Sequence, residues 1–218
     1  MKIKRYKTII KQSAGELIEK KSRFIAHVFP IESEEQAVEY IEIIRKKHNN
    51  ANHNVYAYVI GINNEIQRYS DDGEPSGTAG LPILDVLKGE EIKNTLIIVT
   101  RYFGGTLLGT GGLVRAYSHC AKEGLNQGEV VEKVLCQKAF IQVDYTLSGK
   151  LEYFINEQVG IHLVDTQYTN EVRYTLVVED QFINILEKKI KEISSGKVGI
   201  DLDEICYFTI NNGRVINM

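Results

Sequence analysis

The chain has 218 residues, a length that fits one large domain or two small ones. Its 43% hydrophobic and 25% charged residues are ordinary for a globular protein and exclude long disorder, collagen and coiled coil. The formal net charge of −3 does not indicate a general nucleic-acid binder.

The expected compartment follows from the apolar segments and the cysteines. No apolar run approaches the roughly 20 residues that a membrane span needs, and the basic first residues are not followed by the apolar stretch of a signal peptide. Cys120, Cys136 and Cys206 are spaced too widely for a disulfide framework or a CxxC zinc site. We therefore expect a cytoplasmic protein with reduced thiols, no membrane contact, no metal and no other cofactor.

Apolar periodicity predicts alternating strands and helices in the first part of the chain. Two strands are expected over 3–11 and 16–29, with a turn at 13–15 between them. Ser33 precedes two glutamates and an apolar stripe with helical spacing, which predicts that an amphipathic helix begins there. The further expected elements are a hairpin over 55–60 and 65–69, a buried strand over 95–100 and a helix over 113–126.

The rest of the chain has a different order of predicted strands and helices. The expected elements are a strand over 139–145, a helix carrying Leu147, Leu151, Phe154 and Ile155, a hairpin over 161–168 and 172–178, a helix carrying Phe182, Leu186, Ile190 and Ile193, and a strand over 205–210. This order, βαββαβ, is the ferredoxin-like pattern. We therefore predict two α+β domains, one over 1–134 and a ferredoxin-like one over 135–218.

Glycine is concentrated in one stretch of the chain. Residues 73–112 are 40 of the 218 positions but hold 9 of the 18 glycines. Glycine permits positive φ angles and lets a partner approach the main chain closely. The stretch contains parts of two predicted loops, 69–80 and 103–112, and the strand 95–100 lies between them. We expect both loops at one side of the sheet.

The second loop runs directly into a predicted helix, and this arrangement favours an anion site. The free amides and the positive dipole end of a helix attract negative charge, and the guanidinium groups of Arg101 and Arg115 bind phosphate bidentately. The predicted phosphate- or RNA-binding residues are Arg101, Gly104, Gly105, Gly109, Gly111, Gly112 and Arg115. Alternatively, the glycines only cap the helix and allow tight packing. The P-loop and dinucleotide fingerprints are not satisfied, so ATP hydrolysis is not predicted.

The first loop places three carboxylates in four residues. Asp71, Asp72 and Glu74 could hold Mg²⁺, or they could pair with Arg101 and Arg68. Asp-Asp-Gly is also an ordinary turn sequence. We favour pairing or turn structure over a metal site and assign no catalytic residue.

Both loops carry a family resemblance. The segments YSDDGEPSGTAGLPIL (69–84) and VTRYFGGTLLGTGGLVRAYS (99–118) resemble the signature of the Impact family, also called the YigZ-type family. Residues 137–218 resemble the small C-terminal domain of bacterial members. The family residues fall on Asp71, Asp72, Glu74, Arg101, Gly104, Gly105, Gly109, Gly111, Gly112 and Arg115.

The resemblance implies a fold for each domain and a role in translation. The N-terminal domain would have the left-handed βαβ fold of a small-subunit ribosomal protein and of domain IV of elongation factor G. The C-terminal domain would resemble domain V of that factor. Eukaryotic relatives are linked to control of translation initiation through a partner of a nutrient-stress kinase, whereas bacterial members have no settled biochemical role.

Three functional hypotheses follow. The first is a translation regulator that binds RNA, the ribosome or a translation factor through the Gly-rich, Arg-flanked face. The second is an enzyme acting on a phosphorylated small molecule or nucleotide, with Asp72 as base or Mg²⁺ ligand. The third is a pure protein-interaction adaptor that uses the acidic C-terminal domain.

Overall fold

The computed structural model describes residues 3–211 and 213–216. The chain forms two compact units. The first unit is Tyr6–Val131, and the second consists of the residues up to Arg5 together with those from Glu132 onward. The predicted boundary at residue 134 remains a prediction. Among the described residues, no helix is both long and apolar enough to cross a membrane.

The first unit contains a five-stranded antiparallel sheet. Its strand order is β2-β3-β6-β4-β5. The five strands are β2 (Ser13–Glu19), β3 (Ser22–Pro30), β4 (His53–Ile60), β5 (Ile66–Ser70) and β6 (Thr95–Tyr102). β3 and β4 both pair antiparallel with β6, so they are parallel to each other and are joined by a crossover that skips one strand.

Helices cover both faces of this sheet. The three helices are α1 (Glu34–Lys47), α2 (Gly80–Gly89) and α3 (Thr110–Asn126). Alternate strand residues point to opposite faces. One set packs in a core with α2 and α3, and the other set packs with α1. Ser33 caps α1 by accepting a hydrogen bond from the amide of Gln36, as its position in the sequence predicts.

The predicted turn at 13–15 is wrong. Those residues begin β2, and the chain turns at Lys20 and Lys21, whose φ angles are 45° and 68°. Gly15 serves a different purpose, because a Cβ atom there would lie 2.7 Å from the amide nitrogen of Gly124 in α3. The glycine therefore marks a close approach of helix to strand and not a turn.

The helix α2 has no counterpart in the sequence predictions. It has only ten residues, and its exposed stripe of Leu81, Asp85 and Lys88 contains an apolar residue, so the helical period is weak in the sequence. Pro82 lies in the first turn, where its missing amide is tolerated. A buried helix of this length is hard to distinguish from a buried strand by periodicity alone.

The second unit has the predicted βαββαβ order. Its elements are β7 (Val130–Val143), α4 (Tyr145–Glu157), β8 (Ile161–Tyr168), β9 (Val172–Glu179), α5 (Ile183–Ser194) and β10 (Asp201–Asn211), with the short β11 (Arg214–Ile216) after them. The strand order is β11-β10-β7-β9-β8, and one sheet face packs with α4 and α5. The strand β1 (Arg5–Ile9) precedes the first sheet in the chain and pairs with β7. The predicted α+β fold class, with a ferredoxin-like second domain, is confirmed.

Candidate functional site

The Gly-rich loop begins with amides that are already bonded within the first unit. The Phe103 amide donates to Asn52 Oδ1 over 2.8 Å, and the Gly104 amide donates to Ser22 Oγ over 3.1 Å. A Cβ atom on Gly104 would overlap the backbone of Lys21, so the loop start packs against the turn between β2 and β3.

The main-chain amides that follow have no hydrogen-bond acceptor among the described residues. From Gly105 to Gly112, no main-chain N–H donates to another group of the described chain. The positive φ angles of Gly105 (81°) and Gly109 (74°) shape this segment. Gly109 is the N-cap of α3 and has no side chain to satisfy the first turn. We call residues 105–112 the amide loop.

Free cations lie beside the amide loop. Arg115 is exposed, and its Nη1 would lie 3.6 Å from a Cβ atom on Gly111, so its guanidinium lies over the first turn of α3. Lys20 and Lys21 are also exposed, and the turn that carries them contacts Gly104. Within the described part of the chain, none of these three side chains has an acidic partner.

The sequence does not single out the two lysines. Both central residues of their hairpin turn have positive φ, a type I′ geometry that usually takes Asn-Gly or Gly-Gly. No turn signal in the sequence therefore marks Lys20-Lys21, and only the structure places them beside the loop.

Arg101 lies inside the unit and not at its surface. Its side chain is 6% exposed, and Nη1 donates to Glu74 Oε1 over 2.6 Å. Nη2 approaches Ser22 Oγ at 3.4 Å. The guanidinium also lies over the rings of Phe24 and Phe103, with centroid distances of 5.3 and 5.5 Å. These contacts leave it no free face for a phosphate, and they hold the start of the loop in place.

Glu74 is the centre of this buried network. Its side chain is 4% exposed and also accepts a hydrogen bond from the hydroxyl of Tyr117 over 2.7 Å. Nε2 of His53 lies 3.8 Å from the same carboxylate. Burial and the neighbouring carboxylate raise the pKa of Tyr117, which keeps the phenol protonated as a donor.

The other two loop carboxylates also have structural partners. Asp71 accepts hydrogen bonds from the amides of Gly77, Ala79 and Gly80, and so caps the start of α2. Asp72 accepts a hydrogen bond from the main-chain amide of Asn54 over 2.6 Å and forms an ion pair with Arg45 at 3.2 Å. No group of three or more potential metal ligands occurs among the described residues. The three carboxylates thus hold the first loop and its neighbours together.

The fit of Gly104 gives a first testable prediction. Gly104→Ala should destabilise the first unit by about 2 kcal/mol, because the added methyl group meets backbone that cannot rotate away. Urea denaturation measures the change. Gly111→Ala is the matched control, since its Cβ atom meets only the flexible tip of Arg115, and we expect a change near zero. Equal effects of the two substitutions would contradict the close packing.

Comparisons with known proteins agree with this architecture. Residues 20–125 match the family model described as Impact N-terminal domain, and residues 141–197 match one described as a domain of unknown function, DUF1949. A solved structure described as the crystal structure of an hypothetical protein has a TM-score of 0.59 at 28% identity and covers 93% of this chain and 98% of that one.

Two bacterial relatives extend over most of the chain. The IMPACT family member YvyE of Bacillus subtilis is 43% identical over 202 residues, which is 93% of each protein. The IMPACT family member YigZ of Escherichia coli is 32% identical over 181 residues, 82% of this chain and 88% of the relative. This chain therefore belongs to the IMPACT family, in the two-domain form that joins an Impact N-terminal domain to a DUF1949 domain.

Proposed function

We propose that this protein regulates translation in the cytoplasm by binding RNA, in the ribosome or free, through the amide loop and the cations beside it. The observation that carries the proposal is the run of unbonded amides from Gly105 to Gly112 next to Arg115, Lys20 and Lys21. The chain belongs to the IMPACT family, and the resemblance to that family links its eukaryotic members to translation control. Family membership therefore supports a role in translation.

The geometry suits a phosphate backbone better than base edges. Unbonded amides at a helix start bind phosphate oxygens without regard to sequence. Folded RNA offers phosphates and 2′-hydroxyls more readily than its base edges. The overall charge of −3 does not oppose this, because a local cluster of cations determines the contact.

A charge-reversal series tests the proposal. Arg115→Glu and the double change Lys20→Glu with Lys21→Glu should each lower affinity for purified bacterial ribosomes and for deproteinised ribosomal RNA by about tenfold or more. Each phosphate contact that is lost should also reduce the slope of log K against log salt by about one. Filter binding or fluorescence anisotropy at several salt concentrations measures both quantities.

The matched control is Lys88→Glu. Lys88 is exposed in the last turn of α2, before β6, whereas the amide loop follows β6. Its reversal changes the net charge as much as Arg115→Glu does, and we expect less than about a twofold effect. A salt-independent affinity, or no binding to either RNA or ribosomes at micromolar protein, would remove the proposal.

A second candidate is a protein-interaction adaptor, and one observation favours it. Leu107 at the tip of the amide loop is 82% exposed, and Phe103 before it is 44% exposed. An exposed apolar tip beside free amides can also dock a protein surface. Binding to ribosomes that survives nuclease treatment, is absent with bare RNA and falls in Leu107→Ser would favour this candidate over the RNA proposal.

A further inference from the structure

Two free cysteines face each other in the second unit. Cys136 in β7 lies directly opposite Cys206 in β10, and the two strands pair antiparallel. Directly opposite residues of such a ladder have Cα atoms about 4.5 or 5.5 Å apart, and their side chains leave the same face. Both spacings fall within the range of about 4.4–6.8 Å that disulfides occupy.

The strand that carries Cys206 can adjust locally. The pairing of β10 with β7 shifts register between Leu202 and Ile205, immediately before Cys206. A bulge of this kind leaves a residue unpaired and bends its strand. Residues 201–206 are all exposed, so no core packing opposes a small movement of Cys206 toward Cys136.

The two thiols differ in access. Cys206 is exposed, whereas Cys136 is fully buried opposite Glu179 in β9, and Glu179 also pairs with Arg5. Burial raises the pKa of Cys136 to about 12, and Glu179 adds to the effect while Arg5 opposes it. An oxidant therefore reaches Cys206 first, and Cys136 completes the reaction.

We propose that Cys136 and Cys206 form a reversible cross-strand disulfide when the protein meets a small-molecule disulfide of the glutathione type. The Cys206 thiolate attacks one sulfur of oxidised glutathione, the S–S bond of that molecule breaks, and one glutathione thiolate leaves. Cys136, on losing its proton, attacks the sulfur of Cys206 and displaces the second glutathione. The two protein thiols lose two electrons, and one oxidised glutathione becomes two reduced ones.

The bond would connect β7 to β10 across a long loop of chain and restrict the unfolded state of the second unit. Cys120 provides an internal reference, because it is buried in α3 of the first unit and its thiol pKa is likewise raised to about 12. It has no cysteine opposite it, so we expect it to stay reduced.

The test uses the full chain and oxidised glutathione as the probe. After incubation, denaturation with an alkylating agent and mass spectrometry should show one peptide pair linking Cys136 to Cys206, an alkylated Cys120 and no retained glutathione. Oxidation should raise the midpoint temperature of unfolding of the second unit by about 5 °C or more. Dithiothreitol should reduce the disulfide and return the midpoint to its original value.

Two variants separate the steps. Cys136→Ser should retain glutathione on Cys206, and Cys206→Ser should form no disulfide and show no thermal shift. Because Cys206 is exposed, its variant folds without repacking a core and keeps the test valid if the buried substitution disturbs folding. A wild-type chain that stops at glutathione on Cys206, or that forms only dimers linked through Cys206, would overturn the proposal.

Discussion

Glu74→Ala should lower the free energy of unfolding of the first unit by about 3–5 kcal/mol, the cost typical of breaking a buried ion pair from one side. The substitution leaves the guanidinium of Arg101 buried without a countercharge, since that group is 6% exposed and Glu74 is its acidic partner. It also removes the acceptor of the Tyr117 hydroxyl, which is buried as well.

Partner variants distinguish the pair from simple loss of packing. Arg101→Met should also destabilise strongly, because it leaves the Glu74 carboxylate buried. The double variant Glu74→Ala with Arg101→Met removes both charges and should be much more stable than the sum of the two single losses predicts. Tyr117→Phe removes one hydrogen bond to a charged group and should cost about 1.5–3 kcal/mol. Chemical denaturation measures all four, and additive losses would contradict the coupling.

The same network links stability to the proposed binding surface. Arg101 connects Glu74 to Ser22, and Ser22 also accepts the hydrogen bond from the Gly104 amide where the loop begins. Glu74 thus supports the start of the amide loop, whereas the sequence alone leaves metal binding, pairing and turn structure open for it. We expect Glu74→Ala to weaken ribosome or RNA binding even at temperatures where the variant is folded.

The sequence predicts those features whose cause is local. The cap at Ser33 and the hairpin of β8 and β9 depend on residues close in the chain, and both are confirmed. The Glu74–Arg101 pair was one of the open alternatives, but Arg68 pairs with Glu34 instead. Which carboxylate meets which arginine depends on strand register, and periodicity does not give that.

The features that the sequence does not give arise from tertiary contacts. Gly15 is a residue type typical of turns, but here its missing side chain allows α3 to pack close to the strand. Arg101 has the chemistry of a phosphate ligand, but its position on the same sheet face as Phe24 directs it into the core. Position in the sheet therefore decides the role of residues whose chemistry alone suggests another.

A buried histidine gives the second large prediction, a loss of stability at mildly acidic pH. His27 in β3 is 7% exposed, and its Nε2 is buried without a hydrogen-bond partner in the described chain. Burial, with His48 at a ring distance of 5.1 Å and Lys47 nearby, lowers the pKa of His27 to about 4 from an ordinary 6.5. The unfolded chain therefore binds more protons than the folded one between these two values.

The free energy of unfolding should accordingly fall as the pH drops from about 6.5 to about 4, by about 3 kcal/mol in total. Below about pH 4, protonation of His27 should cause no further loss. His27→Phe removes the titrating group from the same sheet position, so the difference between wild type and variant isolates its contribution from that of the carboxylates. His48 also has a lowered pKa and the same sign of effect, so a smaller slope should remain in the variant. His119→Asn is a control at an exposed position, where the contact of His119 with Glu123 should contribute no more than about 0.5 kcal/mol to the curve. Urea midpoints measured from pH 4 to pH 8 decide the matter, and parallel curves for wild type and His27→Phe would show that His27 is not the group that titrates.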